Sequence, residues 1–138
     1  MNNYVLDTSV AVAWYLPESF SISARRWQQE MLDESITLLV PSLHLLEFAN
    51  VMRTYVARRE LDESLARDIY SLHLDAPLRI VEPSVSAILD IALEYETTTY
   101  DAAYISLSLE QDMRLVTAER TTTPWVVKLG NMIESVRS

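Results

Sequence analysis

Short apolar runs alternate along the chain with segments of helical period, and this alternation limits the fold more than any other feature. "NYVLD", "ITLLV", "LRIV" and "MRLVT" read as strands, with "TPWVVKL" as a last, short one. Between them lie helices. "SFSISARRWQQEML" places Ile22, Trp27 and Met31 inward, and the long "SLHLLEFANVMRTYVARR" carries Leu45, Phe48, Ala49, Met52 and Val56 on its apolar face. "DESLARDIYSLHL" follows with Asp62 as its N-cap, then "SVSAILDIALEYE" and "TYDAAYISLSLEQ". Strands joined by helices predict an α/β fold whose central sheet, of about five strands, is mainly parallel and covered on both faces. With 138 residues, 49% of them hydrophobic, and no repeat or linker, one domain spanning residues 1–138 is expected.

The absences exclude much chemistry. There is no cysteine, hence no thiol nucleophile, disulfide or thiolate zinc site, which suits a reducing compartment. His44 and His73 are the only histidines, so a three-histidine metal site is impossible, and Gly130, the only glycine, cannot build a phosphate-cradling loop. No stretch reads as a signal peptide or a membrane span, so a soluble, cytoplasmic protein without a membrane partner is expected. A net charge of −9 argues against a generic duplex-DNA binder. Yet every base except Lys128 is an arginine. Guanidinium forks suit phosphate and carboxylate partners, although compositional bias explains them equally well.

Carboxylates and hydroxyls remain, and four acids stand out by position. Asp7 ends the apolar run Tyr4–Leu6, where an ionised acid needs a cation, donors or water. Followed by Thr8 and Ser9, it also reads as the cap of a strand-to-helix turn. Glu47 shares a helical stripe with Asn50 and Thr54, opposite the main apolar face, flanked by Leu43 and Leu46 as if lining a crevice. Val51 stands four residues on, so no cation pairs with Glu47 there. Asp101 is spaced from Thr98 like a capping box. Glu119 follows the carboxyl end of "MRLVT", with Arg120 beside it as a possible neutraliser. Function in parallel α/β sheets sits beyond the carboxyl ends of the strands. Two carboxylates about 4 Å apart repel by about 4 kcal/mol at an effective dielectric of 20, so acids converging there call for hard divalent cations such as Mg2+ or Mn2+. One or two such ions can activate water for in-line displacement at phosphorus.

Three stretches in order, "VLDTSVAVAWYLPE", "PSLHLLEFANVMR" and "TTTYDAAYISLSLEQDMRLVTAER", resemble the PIN-domain family, specifically the VapC toxins of toxin-antitoxin pairs. The resemblance runs from the first strand to about Arg120. It implies a metal-dependent endoribonuclease whose acids match Asp7, Glu47 and Asp101, with metal at Asp7 and Asp101 and with Glu47 as a direct or water-mediated ligand. Thr8 or Ser9 matches the hydroxyl that accompanies the first aspartate, in a position to bond a metal-bound water or phosphate, and Asn50 matches a supporting asparagine. Where the family usually has an aspartate in "TAD", this chain has Glu119, whose extra methylene makes it an indirect or dispensable ligand. The partners implied are RNA, a second copy in a homodimer, and a VapB-like antitoxin that carries the DNA-binding domain, so that DNA is met only through the antitoxin.

Two other readings use the same frame. Aspartyl-phosphate phosphotransfer also places an aspartate after the first strand, but one version needs a second aspartate where Ser9 stands, and the other needs a lysine that Lys128 supplies poorly. A non-catalytic PIN-like interaction domain is the alternative that Glu119 keeps open.

Overall fold

The computed structural model describes residues 2–137. Five parallel strands form one sheet in the order β3-β2-β1-β4-β5: β1 (Asn2–Leu6), β2 (Ile36–Val40), β3 (Arg79–Ile80), β4 (Arg114–Thr117) and β5 (Ile133–Ser135). Seven helices join them: α1 (Thr8–Tyr15), α2 (Ser21–Leu32), α3 (Leu43–Ala57), α4 (Glu63–Leu74), α5 (Ile88–Glu94), α6 (Thr99–Gln111) and α7 (Pro124–Leu129).

The pleat sorts the strand residues into two cores. Val5 lies beside Leu39 on one side and Leu115 on the other, and all three pack with Tyr104, Ile105 and Trp125 under α5, α6 and α7. Leu6, Leu38, Val40 and Val116 face the opposite way, against α1, α2, α3 and α4. Central strands buried on both faces explain why β1, β2 and β4 read as continuous apolar runs rather than alternating ones.

Two expectations need correction. "TPWVVKL" is not a strand but α7, because Pro124 takes the first helical position, Gly130 ends the helix at φ 57°, and the buried Trp125, Val126 and Leu129 share a helical face. The last strand is β5, a short edge strand bonded to β4 alone. Ile22 is 80% exposed rather than inward. It lies nine residues, half a turn out of phase, from the buried Met31, and the small Ser21 and Ala24 set the inward face instead. Trp27 is half-buried against the edge of Tyr4. On α3 the fully buried stripe is His44, Phe48 and Met52, with Leu45, Ala49 and Val56 half-buried beside it.

That stripe takes a polar residue into the first core. His44 meets His73 of α4 through their Nε2 atoms at 2.8 Å, and Phe48 stacks on His73 at 4.0 Å between centroids. Burial, and for His44 the neighbouring His73, lowers their pKa values to about 3 and about 4. Bases with depressed folded-state pKa values stabilise the fold fully above pH 6.5 and lose that contribution as the pH falls, because the unfolded chain takes up the protons first. The loss should reach on the order of 2 kcal/mol per histidine by pH 5. Urea unfolding between pH 7 and 5 should therefore show His73→Gln removing about one proton from the uptake on unfolding, and the difference from the wild type isolates this from the carboxylates. An unchanged uptake contradicts the neutral pair.

Candidate active site

Asp7 sits where β1 ends and α1 begins, its amide still bonded to Val116 O at 3.0 Å as if the strand continued. It occupies the N-cap position, but its side chain makes no capping bond. Instead Oδ2 accepts from Thr117 Oγ1 at 2.8 Å and Ser9 Oγ at 3.0 Å. Ser9 Oγ in turn accepts from Ala118 N, which ties the end of β1 to the loop after β4. Burial is the main cause that raises the Asp7 pKa to about 6, with Asp101 and Glu47 adding to it against the Thr117 and Ser9 hydrogen bonds.

Asp101 lies in the first turn of α6. Half of the expected capping box forms: Thr98 Oγ1 accepts from Asp101 N at 3.1 Å. The carboxylate accepts from Thr97 Oγ1 at 2.9 Å. Burial raises its pKa, and the nearby Glu119 raises it further. Glu119 is half-buried in the loop after β4, its amide bonded to Thr117 Oγ1 and its Oε1 3.4 Å from Thr123 Oγ1. Among the described residues Arg120 makes no ion pair with it.

Glu47 is half-buried and lines a crevice with Leu43 and Leu46. Its Oε1 accepts from Tyr104 Oη at 2.6 Å and from Thr8 Oγ1 at 3.0 Å. Thr8 is buried and its hydroxyl turns inward, meeting Tyr104 Oη at 2.6 Å and His44 Nδ1 at 2.9 Å. Thr8 thus has three close partners, Glu47, Tyr104 and His44, for its single proton. Beyond Thr8, His44 meets His73 through their Nε2 atoms, and His73 Nδ1 pairs with Tyr15 Oη at 2.8 Å. Burial and Glu47 raise the Tyr104 pKa, and burial raises that of Tyr15 to about 12, so both phenols remain donors. This buried chain of hydrogen bonds ends at Glu47.

Asn50 is exposed and lines a pocket of about 400 Å3 with Leu43, Leu46, Glu47 and Tyr100. Sequence reasoning did not find Tyr104, Thr117, His44 or His73. Tyr104 carried a signal, since three residues after Asp101 it shares that residue's helical face.

Among the described residues, no three His, Asp or Glu side chains gather as a ready-made metal site. Both nitrogens of each histidine are engaged within the chain to Tyr15. The available donors are therefore carboxylate oxygens. Asp7, Asp101, Glu47 and Glu119 each use one oxygen in the hydrogen bonds above and leave the other without one among the described residues. Hard oxygens in this number fit a magnesium-like ion that keeps several waters and takes one or two carboxylates, not a closed protein cage.

Lys128 lies away from this cluster, its Nζ 2.9 Å from Glu94 O and over the Tyr95 ring. It therefore does not serve the phosphotransfer reading. Among the described residues no helix is long and apolar enough to cross a membrane.

No curated protein matches the chain by sequence. Solved structures do match in fold. PAE2754 from Pyrobaculum aerophilum superposes with a TM-score of 0.73 at 21% identity, over 98% of this chain and 84% of that one. VapBC2 from Rickettsia felis, bound to a DNA fragment from their promoter, matches with a TM-score of 0.65 at 16% identity, over 96% and 98% of the two chains. A family model for the PIN domain matches residues 4–121. The chain belongs to the PIN-domain family.

Proposed function

We propose that the chain is a VapC-like endoribonuclease that depends on Mg2+ or Mn2+. The observation that carries this reading is the buried Asp7 at the carboxyl end of β1, whose pKa is raised to about 6 first by loss of water and further by the neighbouring Asp101 and Glu47. Asp7 and Asp101 are the residues that would hold the ion, with Glu47 acting through a water. A bound divalent ion supplies charge neutralisation at phosphorus and acidifies water. Glu47 has Oε1 fixed by Tyr104 and Thr8, which leaves Oε2 to accept the proton of the attacking water. Ser9 and Thr117 orient Asp7, Thr8 orients Glu47, and Glu119 acts at the periphery through Asp101. Asn50, on the rim beside Glu47, is placed to meet substrate.

The partners follow the same reading. The Rickettsia felis complex with promoter DNA supports a VapB-like antitoxin that restrains the toxin and carries it to DNA. Val85, Leu89 and Leu93, exposed and spaced four apart, support a homodimer face. A cytoplasmic location suits this role. The second reading, a PIN-like interaction domain without catalysis, is favoured by the lack of a ready-made three-acid metal group among the described residues.

The test is incubation of single-stranded RNA with the protein in Mg2+, Mn2+ or EDTA, followed by mapping of the new ends. Metal-dependent cleavage is expected, with Asp7→Asn and Asp101→Asn losing at least about 100-fold in rate and Glu119→Gln only a few-fold. Undiminished cleavage by Asp7→Asn, or none by the wild type, contradicts the proposal. Equal losses at Asp101 and Glu119 would make Glu119 a full ligand.

A second outcome concerns stability. The folded-state pKa of Asp7 is raised, so its destabilising contribution is absent below pH 3.8 and complete above about pH 6. Without divalent cation at pH 7.5, Asp7→Asn should therefore melt about 5 °C above the wild type. Saturating Mn2+ should narrow that gap by stabilising the wild type alone. A lower melting temperature for the metal-free variant counts against the repulsion.

A further inference from the structure

We propose that a cleft next to the acid site, carrying Arg26, Arg120 and Arg137, is the track that seats the phosphates of the RNA strand. This rests on the nuclease reading and adds to it the residues that hold the polyanion. The cleft has a volume of about 650 Å3 and is lined by Arg26 of α2, by Arg120, Thr121 and Thr122 of the loop after β4, and by Arg137 after β5.

Three arginines line this one cleft. The chain carries 20 acids against 11 bases, yet among the described residues none of these three arginines has an ion-pair partner; the ion pairs use Arg67, Arg114 and Lys128. Glu18 before α2 accepts from Tyr55 Oη, and among the described residues neither Glu30, one turn beyond Arg26, nor Glu119, next to Arg120, forms an ion pair. Three guanidinium groups gathered without counterions repel one another, and an anion relieves that. Their forked donors match phosphate oxygens, and threonine hydroxyls beside them add the neutral donors common in backbone contacts.

Position ties the cleft to the acids. Arg137 donates from Nε to Ala118 O and lies over the Phe20 ring, with Cζ 4.8 Å from its centroid, so its outer nitrogens remain for a ligand. Ala118 N donates to Ser9 Oγ, which donates to Asp7. Arg137, in the cleft wall, is thus linked to the first aspartate through three hydrogen bonds, and Arg120 directly follows Glu119. Cation-bound acids for one phosphodiester and arginines for its neighbours make a continuous path at the carboxyl edge of the sheet. The rest of an acidic surface repels RNA, so such a path also sets its direction of approach. An acidic protein segment fits less well, because the Phe20 ring that would anchor it apolarly is covered by Arg137.

The test is fluorescence anisotropy of a labelled single-stranded RNA 12-mer with the full chain in EDTA, at salt from 25 to 200 mM, compared with Arg26→Ala/Arg120→Ala. Both side chains are exposed and without hydrogen bonds among the described residues, so the double variant should fold; circular dichroism and the melting temperature check this. The variant is expected to bind about 10-fold more weakly at low salt, with the slope of log K against log salt reduced by about 1.4, two contacts at about 0.7 each. Arg26→Lys/Arg120→Lys should keep most of the slope. Unchanged affinity and slope overturn the track, as does a poly-glutamate peptide binding more tightly than RNA through the same arginines. Cleavage in Mn2+ is scored separately. Cleavage with arginine-independent binding leaves the nuclease reading standing without the track, and arginine-dependent binding without cleavage does the reverse.

Discussion

The architecture turns on one unfavourable interaction, the crowding of desolvated carboxylates around Asp7. Parallel pairing of β1 between β2 and β4 leaves the end of β1 at the centre of the sheet's carboxyl edge, where α1 must leave and α6 and the loop after β4 converge. An acid there loses water whatever its role, and only two hydroxyl donors, Thr117 and Ser9, compensate it. Asp101 and Glu47 then add repulsion instead of relief. Such strain is unfavourable for folding and is the arrangement a hard cation would stabilise.

Glu47 is held differently. Its oxygen is the end of a buried hydrogen-bonded chain that links Tyr15, His73, His44 and Thr8, with Tyr104 joining at the carboxylate. Depressed histidine pKa values keep both rings neutral at physiological pH, so each ring can both donate and accept within this chain. The chain also crosses the first core, where Phe48 stacks on His73, so packing and the orientation of Glu47 are the same set of contacts.

What the sequence revealed was local. The α6 boundaries, β4 and the Asp62 cap follow from periodicity and capping chemistry within a few residues. Asp7 and Asp101 were legible because strand ends and first helical turns are places where a carboxylate is unusual or positioned. The errors arose where short signals are ambiguous. A six-residue apolar stretch such as α7 fits strand or helix by hydrophobicity alone, whereas β5 contains Glu134 and pairs on one side only. The inward turn of Thr8 and Glu47 was hidden because their partners lie 36 to 96 residues away along the chain. Only the parallel crossovers bring His44, His73 and Tyr104 to them.

The most direct test of the cation claim is calorimetric titration of Mn2+ into the wild type and Asp7→Asn at pH 6, in buffers of different ionisation enthalpy. With a pKa of about 6, Asp7 is about half protonated in the metal-free protein, so binding should release about half a proton and the heat should vary with the buffer. Asp7→Asn should bind far more weakly and without that buffer dependence. Wild-type binding that is absent, or identical in Asp7→Asn, would contradict the account.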